Sequence, residues 1–467
     1  MYACARLGLV YVTLNHLLPS DLLKEQIEHT DCAALICFPT VKNGHCYAIL
    51  SYLYPALTSS PAGQPLGDNG KLSHVIIDEQ STYTGAYNFQ ELVNGVSNSD
   101  INALPSPGSI PVKPSSPACL QFTSGTSGEP KAVLLSHYQL INSCLITGTR
   151  LYLNHQSEIM CCPMPVFRGP VMCLAVWAPI IFGVKVIFPA PLPLPPAILK
   201  AIQNYKCTSL VFNPIAFGLM LRLPASKDYD ISSLTSVCLG GEHVPNDLIE
   251  AMQKSTQIKD VITGLFLTEA GCMPLAFPTD GNVEKLLETQ GSVADHYEVK
   301  IVDTDGKTLP NGKWGQLWIK PVGKSSFLGY YKNDSANTEF QRKEWIFSGD
   351  IAVMDNRGYV RLIGHKNDAI KMKNKVLYPS FMEKPISVHP KVIGVQVVGA
   401  KGDGADQLVL CVVPKIKDAG PDAEEKLKAE LVEMCKEEKY TVYLTASIRR
   451  DKAKKRKTSQ LSWFAVF

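Results

Sequence analysis

The sequence predicts an α/β protein with a large N-terminal domain of mostly parallel sheets and flanking helices, a small β-rich subdomain, and a small α+β C-terminal domain. Three features carry that expectation. Up to Val299 short apolar runs alternate with helical patterns, and such alternation implies crossover connections between parallel strands. Beyond Val299 the apolar runs shorten and are punctuated by Gly, Asn and Asp. After Asp368 two further apolar runs precede a strongly charged helical stretch and a basic tail.

The first strand is expected at Val10-Tyr11-Val12, followed by an amphipathic helix over 18–29 and a strand over 33–38. The run 170–188 is the most apolar of the chain but contains Pro179, Gly183 and Lys185. Its polar-free part is shorter than the ~20 residues that a bilayer-spanning helix needs. It reads instead as a helix, a turn at Phe182-Gly183 and a buried strand over 184–188. A helix over 197–204 feeds a strand over 209–212, and a helix over 245–254, opening on Pro245, precedes a strand over 262–267. Residues 300–302, 315–320 and 358–363 are the short strands of the β-rich region. Strands over 392–398 and 407–413 and a charged helix over 422–439 make up the last one. The Pro-, Gly- and Ser-rich stretches 59–70 and 98–116 are expected as surface loops.

The 467 residues are 45% hydrophobic, which permits roughly two or three domains with sizeable cores and argues against wholesale disorder. With 46 basic and 43 acidic side chains the net charge is +3, which gives no electrostatic ground for nucleic acid as a partner. No secretory signal and no transmembrane segment are visible, so the protein is expected to be soluble and intracellular. The 14 Cys include no C-x-x-C pair and mostly sit in apolar runs, where reduced thiols pack as small hydrophobes. Cys32, Cys37, His45 and Cys46 are the one cluster resembling a metal set, but their spacing fits no usual zinc pattern.

The most informative stretch is Leu120-Gln121-Phe122-Thr123-Ser124-Gly125-Thr126-Ser127-Gly128-Glu129-Pro130-Lys131. An apolar strand runs into small hydroxyl and glycine residues closed by Pro and Lys. Glycines let backbone N–H groups approach anionic oxygens, the Thr and Ser hydroxyls add donors, and Lys131 adds positive charge, which together suit a polyphosphate. The spacing of a Walker A loop is absent, and an ordinary Ser/Gly surface turn has the same composition.

The complete string resembles the phosphate-binding signature of the adenylate-forming (AMP-binding) superfamily, and the likeness continues into Ser136-His137-Tyr138. Further elements follow in that family's order. Gly240-Gly241 with Val244-Pro245 resembles the loop flanking adenine, and Thr268-Glu269 the end of a tyrosine-glycine-x-threonine-glutamate motif. The segment 315–319 with Gly329-Tyr330-Tyr331 resembles the strand pair closing the large domain. Ser348-Gly349-Asp350 resembles a threonine-glycine-aspartate motif, and Gly364-His365-Lys366-Asn367-Asp368 stands where a glycine-arginine pair and a hinge aspartate belong. Within the superfamily the best resemblance is to medium-chain acyl-CoA synthetases, through 122–142, 228–234, 378–379 and 389–399.

That resemblance implies an acid–thiol ligase with ATP, Mg²⁺ and CoA as cofactors and co-substrates and a fatty acid as its small-molecule partner. A carboxylate attacks the α-phosphate of MgATP and pyrophosphate leaves. A small mobile C-terminal domain, 367–467, then turns against the large domain, 1–366, and the CoA thiol attacks the acyl-AMP. The resemblance implies Thr123, Ser124, Gly125, Thr126, Ser127, Gly128 and Lys131 around the triphosphate, and Gly240 and Gly241 against the adenine. It implies Thr268 at the α-phosphate, Glu269 on Mg²⁺, Asp350 on the ribose hydroxyls and His365 in the ribose-and-phosphate position. A mitochondrial location goes with the likeness; no transit peptide is present, because the chain starts inside the family pattern, and the cytoplasm is the alternative.

Several residues depart from the pattern. Leu265-Phe266 replaces tyrosine-glycine, removing the aromatic that stacks on adenine and setting a Phe where Gly belongs. Ala132 follows the loop lysine in place of Gly, a mild change unless φ is positive there. Arg168 stands where an aromatic or His lines the acyl pocket, with an outward-facing loop Arg as the plainer reading. His365 replaces an arginine whose bidentate fork it lacks. Lys371, Lys373, Asn374 and Lys375 stand where glycines let pantetheine pass, and Phe381 where a glutamate follows Tyr378-Pro379. The run 449–457 holds no Gly-Lys dipeptide to reach the α-phosphate and reads as a solvated basic tail. The competing reading is a non-catalytic relative that binds nucleotide or acyl-CoA; luciferase-like oxidation of an adenylate draws no specific support.

Overall fold

The computed structural model describes residues 1–38, 44–106, 109–123, 130–154, 158–240, 248, 252, 256–271, 275–276, 288–321, 327–342, 345–372, 375–387, 389–401, 406–414, 421–437 and 443–444. They divide into two compact units. The first comprises Met1–Thr123, Pro130–Glu298 and Lys320–Ile346; the second comprises Val299–Ile319 and the chain from Phe347 onward.

A seven-stranded sheet organises the first unit. In spatial order it runs Ser292–Val293, Leu275–Ala276, Asp260–Leu265, Ser236–Gly240, Ser209–Phe212, Ile159–Cys161 and Lys185–Ile187. The last five are mutually parallel, the first two antiparallel. Ser209–Phe212 is buried along its whole length, as a strand covered on both faces must be. The helix Gly169–Phe182 carries Pro170 in its first turn, where a missing N–H is harmless, and stops at Gly183 with φ 71°. The strand that follows is not the buried one expected over 184–188. Lys185–Ile187 is the edge of the sheet, with Lys185 exposed, Val186 and Ile187 half-buried and Phe188 53% exposed. Apolar composition overstated its burial because an edge strand has only one neighbour.

A four-stranded sheet orders Tyr11–Thr13, Pro117–Thr123, Lys131–Ser136 and Gly329–Tyr330. Its last pairing sets Gly329 opposite Leu134 and Tyr330 opposite Val133. The expectation that 315–319 and Gly329-Tyr330-Tyr331 form one strand pair is thereby corrected. Trp314–Pro321 belongs to a different sheet, and the second motif pairs instead with the strand that leaves the phosphate loop. A three-stranded parallel sheet of Ala34–Cys37, His74–Ile77 and Tyr87–Asn88 packs with the helices Ser20–His29 and His45–Leu53 around Ile27, Leu50, Leu53, Val75 and Ile77. The expected loop over 98–116 contains the helix Asn98–Ala103. Ser97 accepts from the Asp100 amide while the Asp100 carboxylate accepts from the Ser97 amide, a reciprocal cap that outweighs the loop-like composition.

In the second unit Trp345–Met354 pairs antiparallel with Val360–His365. A hairpin of Ile370–Met372 and Lys375–Leu377 follows. The strands Val392–Lys401, Asp406–Pro414 and Tyr443–Leu444 and the helices Ser380–Ser387 and Pro421–Glu437 then enclose a core that includes Leu377, Met382, Ile386, Leu410, Leu427 and Leu431. The helix expected over 245–254 is described at Leu248 and Met252, both helical, both buried and one turn apart on one face. The basic tail, Lys373 and Asn374 lie outside the described residues.

The helix Pro214–Arg222 starts on Asn213, a 7% exposed side chain whose Oδ1 accepts the Ala216 N–H at 3.0 Å. Asn213→Ala is expected to lower the unfolding free energy by about 1–2 kcal/mol, read as a lower urea midpoint at unchanged slope.

Candidate active site

The phosphate-loop segment is bounded by two paired strands. Thr123 and Lys131 are direct partners across the antiparallel ladder, and the Thr123 hydroxyl lies 3.5 Å from the Lys131 carbonyl oxygen. The loop therefore leaves and re-enters the sheet at facing residues. Ser124, Gly125, Thr126, Ser127 and Gly128 lie outside the described residues. Ala132 is buried with φ on the ordinary negative side, so its replacement of glycine imposes no backbone strain.

Lys131 and Glu269, far apart in sequence, meet through a residue that motif reading had treated only as part of a strand. The Lys131 Nζ stands 5.2 Å from the centre of the Tyr330 ring, and the Tyr330 hydroxyl donates to Glu269 Oε1 at 2.8 Å. Glu269 is 6% exposed. Burial pushes its carboxyl above the usual carboxylate range, opposed by the Tyr330 hydroxyl, its own amide and the Lys131 charge. Gln139, in the helix His137–Arg150 that Ser136 caps, donates from Nε2 to the Glu269 carbonyl at 3.2 Å. Tyr330 is itself clamped. The Asn337 Oδ1 accepts its N–H at 2.6 Å and the Asn337 Nδ2 donates to its carbonyl at 3.0 Å. The sequence signal for Tyr330 was its place in Gly329-Tyr330-Tyr331, which carries no chemistry until the sheet register is known.

Thr268 sits at the N-terminus of the helix Gly169–Phe182. A Cβ on Gly169 would lie 2.7 Å from Thr268 Cγ2 and 2.9 Å from its Oγ1, so only glycine permits the approach. A 14-residue helix presents unpaired N–H groups and the positive end of its dipole there, next to a hydroxyl, an arrangement that attracts an anion. Arg168, the residue before this helix, is half-buried.

Gly240 ends its strand opposite Gly264, and the ring of Phe266 lies directly on it: a Cβ at Gly240 would be 1.6 Å from the ring's Cε2. The open backbone face expected to receive a base is covered by an aromatic ring of this chain. Gly241 lies outside the described residues.

In the second unit Asp350 and His365 are partners across antiparallel strands. Gly349, at φ 82°, lets the His365 ring come in; a Cβ there would meet Nε2 at 2.2 Å. His365 Nδ1 accepts the Asn367 N–H at 3.2 Å, so the proton resides on Nε2, which is buried without a partner among the described residues. Burial lowers the His365 pKa below 6.5, so the ring that stands in the arginine position is neutral at pH 7. Burial, with the Asp368 carboxylate adding to it and the Ser348 hydroxyl opposing it, pushes Asp350 up to about 7. Among the four cysteine-cluster residues, Cys32 turns toward Thr30 at 3.1 Å while the Cys46 thiol donates to the Phe38 carbonyl at 3.6 Å. Among the described residues no group of three or more His, Cys, Asp or Glu is arranged to hold a metal ion.

Asp350 has a testable signature. Its unfolded pKa is 3.8 and its folded pKa about 7. Between those pH values the unfolded chain has released a proton that the folded one keeps, so its contribution to stability is complete below 3.8 and is lost as pH rises to about 7. Asp350→Asn removes this loss, so urea midpoints of the variant should gain on the natural protein between pH 4.5 and pH 7.5; an equal difference at both would refute the shift.

Comparison with known proteins gives the family. The family described as AMP-binding enzyme matches residues 1–331. An acyl-CoA ligase, sidI, of Aspergillus fumigatus is 30% identical over 409 residues, 85% of this chain and 66% of that protein. The mitochondrial medium-chain acyl-CoA ligase ACSF2 of Danio rerio is 29% identical over 440 residues, 92% of this chain and 70% of that one. Among solved structures, the anthranilate CoA ligase AuaEII with anthranoyl-AMP superposes with a TM-score of 0.79 at 20% identity, covering 98% of this chain and 83% of that one. ATP-bound MatB of Rhodopseudomonas palustris gives 0.76 at 20% identity, covering 96% and 82%. Both share the fold, and among the described residues no helix is long and apolar enough to cross a membrane. With the family match running over the paired strands around Lys131 and through Tyr330, this chain belongs to the AMP-binding enzyme family.

Proposed function

We propose that this chain is an ATP-dependent acid–thiol ligase that activates a medium-chain fatty acid through an acyl-AMP intermediate and passes the acyl group to CoA. The observation that carries this reading is the meeting of Lys131, at the end of a hydroxyl- and glycine-rich loop, with the buried Glu269 carboxylate through Tyr330. The likeness to acyl-CoA ligases supports the reaction, and the likeness to the Danio rerio ligase supports medium-chain acids and a mitochondrial location.

In this mechanism Lys131 and the hydroxyls and amides of 123–128 neutralise the triphosphate oxygens as pyrophosphate departs. The Thr268 hydroxyl and the helix N-terminus behind it hold the α-phosphate oxygens in line for the incoming carboxylate. Asp350 accepts from the ribose hydroxyls, the Phe266 ring that covers Gly240 stands between that glycine and the base, and the His365 Nε2–H acts as an uncharged donor beside the sugar. The residues present fit Mg²⁺: it needs only one or two carboxylates besides phosphate oxygens, and Glu269 offers a hard oxygen whose charge burial disfavours until a cation is near. When bound, Mg²⁺ supplies charge neutralisation on the phosphoryl oxygens. Rotation of 367–467 about Asp368 then opens the adenylate to the CoA thiol.

A second reading, a nucleotide- or acyl-CoA-binding relative without adenylation, is favoured by one observation: the Phe266 ring on Gly240. The two readings part in the assay. Protein with MgATP and octanoate should exchange pyrophosphate and, with CoA, yield octanoyl-CoA. Lys131→Ala and Glu269→Gln should each lower the exchange rate about 10²–10³-fold; retention of full activity by either would refute its place in the site. If Phe266 stacks on the base with its outer face, Phe266→Ala should weaken ATP binding about tenfold in titration calorimetry. Tighter binding would instead mark the ring as an obstruction and support the second reading.

A further inference from the structure

Lys131 and Glu269 carry opposite charges in one site, yet among the described residues they form no ion pair with each other; each contacts the side chain of Tyr330 instead. The sheet register dictates this. Tyr330 pairs with Val133, two residues along the strand from Lys131, so Tyr330 and Lys131 share a sheet face as diagonal neighbours. The ammonium rests 5.2 Å from the ring centre, and the phenol hydroxyl donates to Glu269 Oε1 at 2.8 Å. The ring is fixed in turn. Tyr330 is 4% exposed, its ring meets Phe327 edge-on with centres 5.2 Å apart, and Asn337 bonds both its N–H and its carbonyl. Asn337 lies in the helix Asp334–Phe340, and Gly329, at φ 124°, admits it: a Cβ there would lie 3.2 Å from the Asn337 Oδ1. All of these residues belong to the first unit.

A direct contact between Lys131 and Glu269 would satisfy both charges, and a ligand would have to break it before either group could act. A ring face attracts the ammonium without spending a carboxylate on it. A phenol donor steadies the carboxylate without bringing a positive charge, and its bond opposes the burial that raises the Glu269 pKa. We propose that Tyr330 is a positioning residue that holds Lys131 and Glu269 apart, keeping the ammonium for the triphosphate and the carboxylate for the divalent cation. This role presupposes that Lys131 and Glu269 act as proposed above, and it requires in addition that the two stay unpaired in the resting site. Asn337 sets the spacing, because it fixes the Tyr330 backbone on both sides.

The test uses the full chain with α,β-methylene-ATP, which cannot release pyrophosphate, so binding is read without turnover. Nucleotide affinity without metal is measured by titration calorimetry, and metal affinity by the electron paramagnetic resonance of Mn²⁺ with that nucleotide present. Tyr330→Phe keeps the ring and removes the hydroxyl: Mn²⁺ affinity should fall about tenfold while metal-free nucleotide affinity is unchanged. Tyr330→Leu removes the spacer, and metal-free nucleotide affinity should fall about tenfold as Lys131 turns to Glu269. In a Glu269→Gln background the same Leu substitution should cost nothing, since no carboxylate is left to capture the ammonium; a merely structural tyrosine would cost the same in both backgrounds. Unchanged Mn²⁺ affinity in Tyr330→Phe, or an equal Leu loss with and without the Glu269 carboxylate, would overturn the proposal. The Phe variant fills the buried site almost as tyrosine does and decides even where the Leu variant does not fold. Natural protein that binds the nucleotide but exchanges no pyrophosphate with MgATP and octanoate would overturn the ligase reading alone; no nucleotide binding would overturn both.

Discussion

The first unit depends on keeping one carboxylate inside the protein. Glu269 is 6% exposed, and an isolated buried charge is penalised by several kcal/mol unless it is paired and hydrogen-bonded. Here the relief comes from a phenol hydroxyl and a lysine beyond it. Each of those must be delivered to within hydrogen-bonding or cation–π range by separate parts of the chain. Tyr330 arrives on a two-residue strand paired with Val133, and Asn337 fixes its backbone. Lys131 arrives as the first residue of the strand that leaves the phosphate loop. The helix behind it supplies Gln139, which ties down the backbone of Glu269 itself. Four stretches of chain are thus committed to one charge, two of them to the groups that compensate it and two to the backbones that position those groups.

Glycine recurs wherever a site side chain is set close to the backbone. Gly169 admits Thr268, Gly240 admits the ring of Phe266, and Gly349 admits the imidazole of His365. In each case an added Cβ would fall within 3 Å of the neighbouring side chain. Only the first of these leaves a polar group at an anion-attracting helix end. The other two place this chain's own rings against the backbone, and both rings stand at positions where it departs from the family pattern.

Those two departures act differently. Phe266 is a steric matter: an aromatic face replaces open backbone at the end of a sheet strand. His365 is an electrostatic one. Burial holds the ring neutral and leaves Nε2–H without a partner among the described residues, so a fixed charge has been exchanged for a single directional donor. Its neighbour Asp350 is shifted the opposite way in charge terms, toward its own neutral form. The second unit therefore presents a pair poised near neutrality where the family pattern has a carboxylate and a guanidinium.

Local chemistry made much of the fold legible. An apolar run located Ser209–Phe212, which is buried along its length, and the strand expected over 262–267 overlaps the observed Asp260–Leu265, which begins two residues earlier. Gly183 marked the end of a helix, because tolerance of left-handed backbone is a property of a single residue. The Thr123 to Lys131 string suited a polyphosphate by its residue types, but an ordinary Ser/Gly surface turn has the same composition. Composition failed where the outcome depends on which strands become neighbours. It read 184–188 as buried when that strand lies at an edge, and it joined 315–319 to a motif that pairs with Val133 and Leu134 instead. The meeting of Tyr330 with Glu269 and the Phe266 ring on Gly240 are equally invisible in one dimension. Residue types set what each segment can do; distances between segments remote in sequence arise only when the sheets take their order, and hydrogen bonds, desolvation and ring packing depend on those distances.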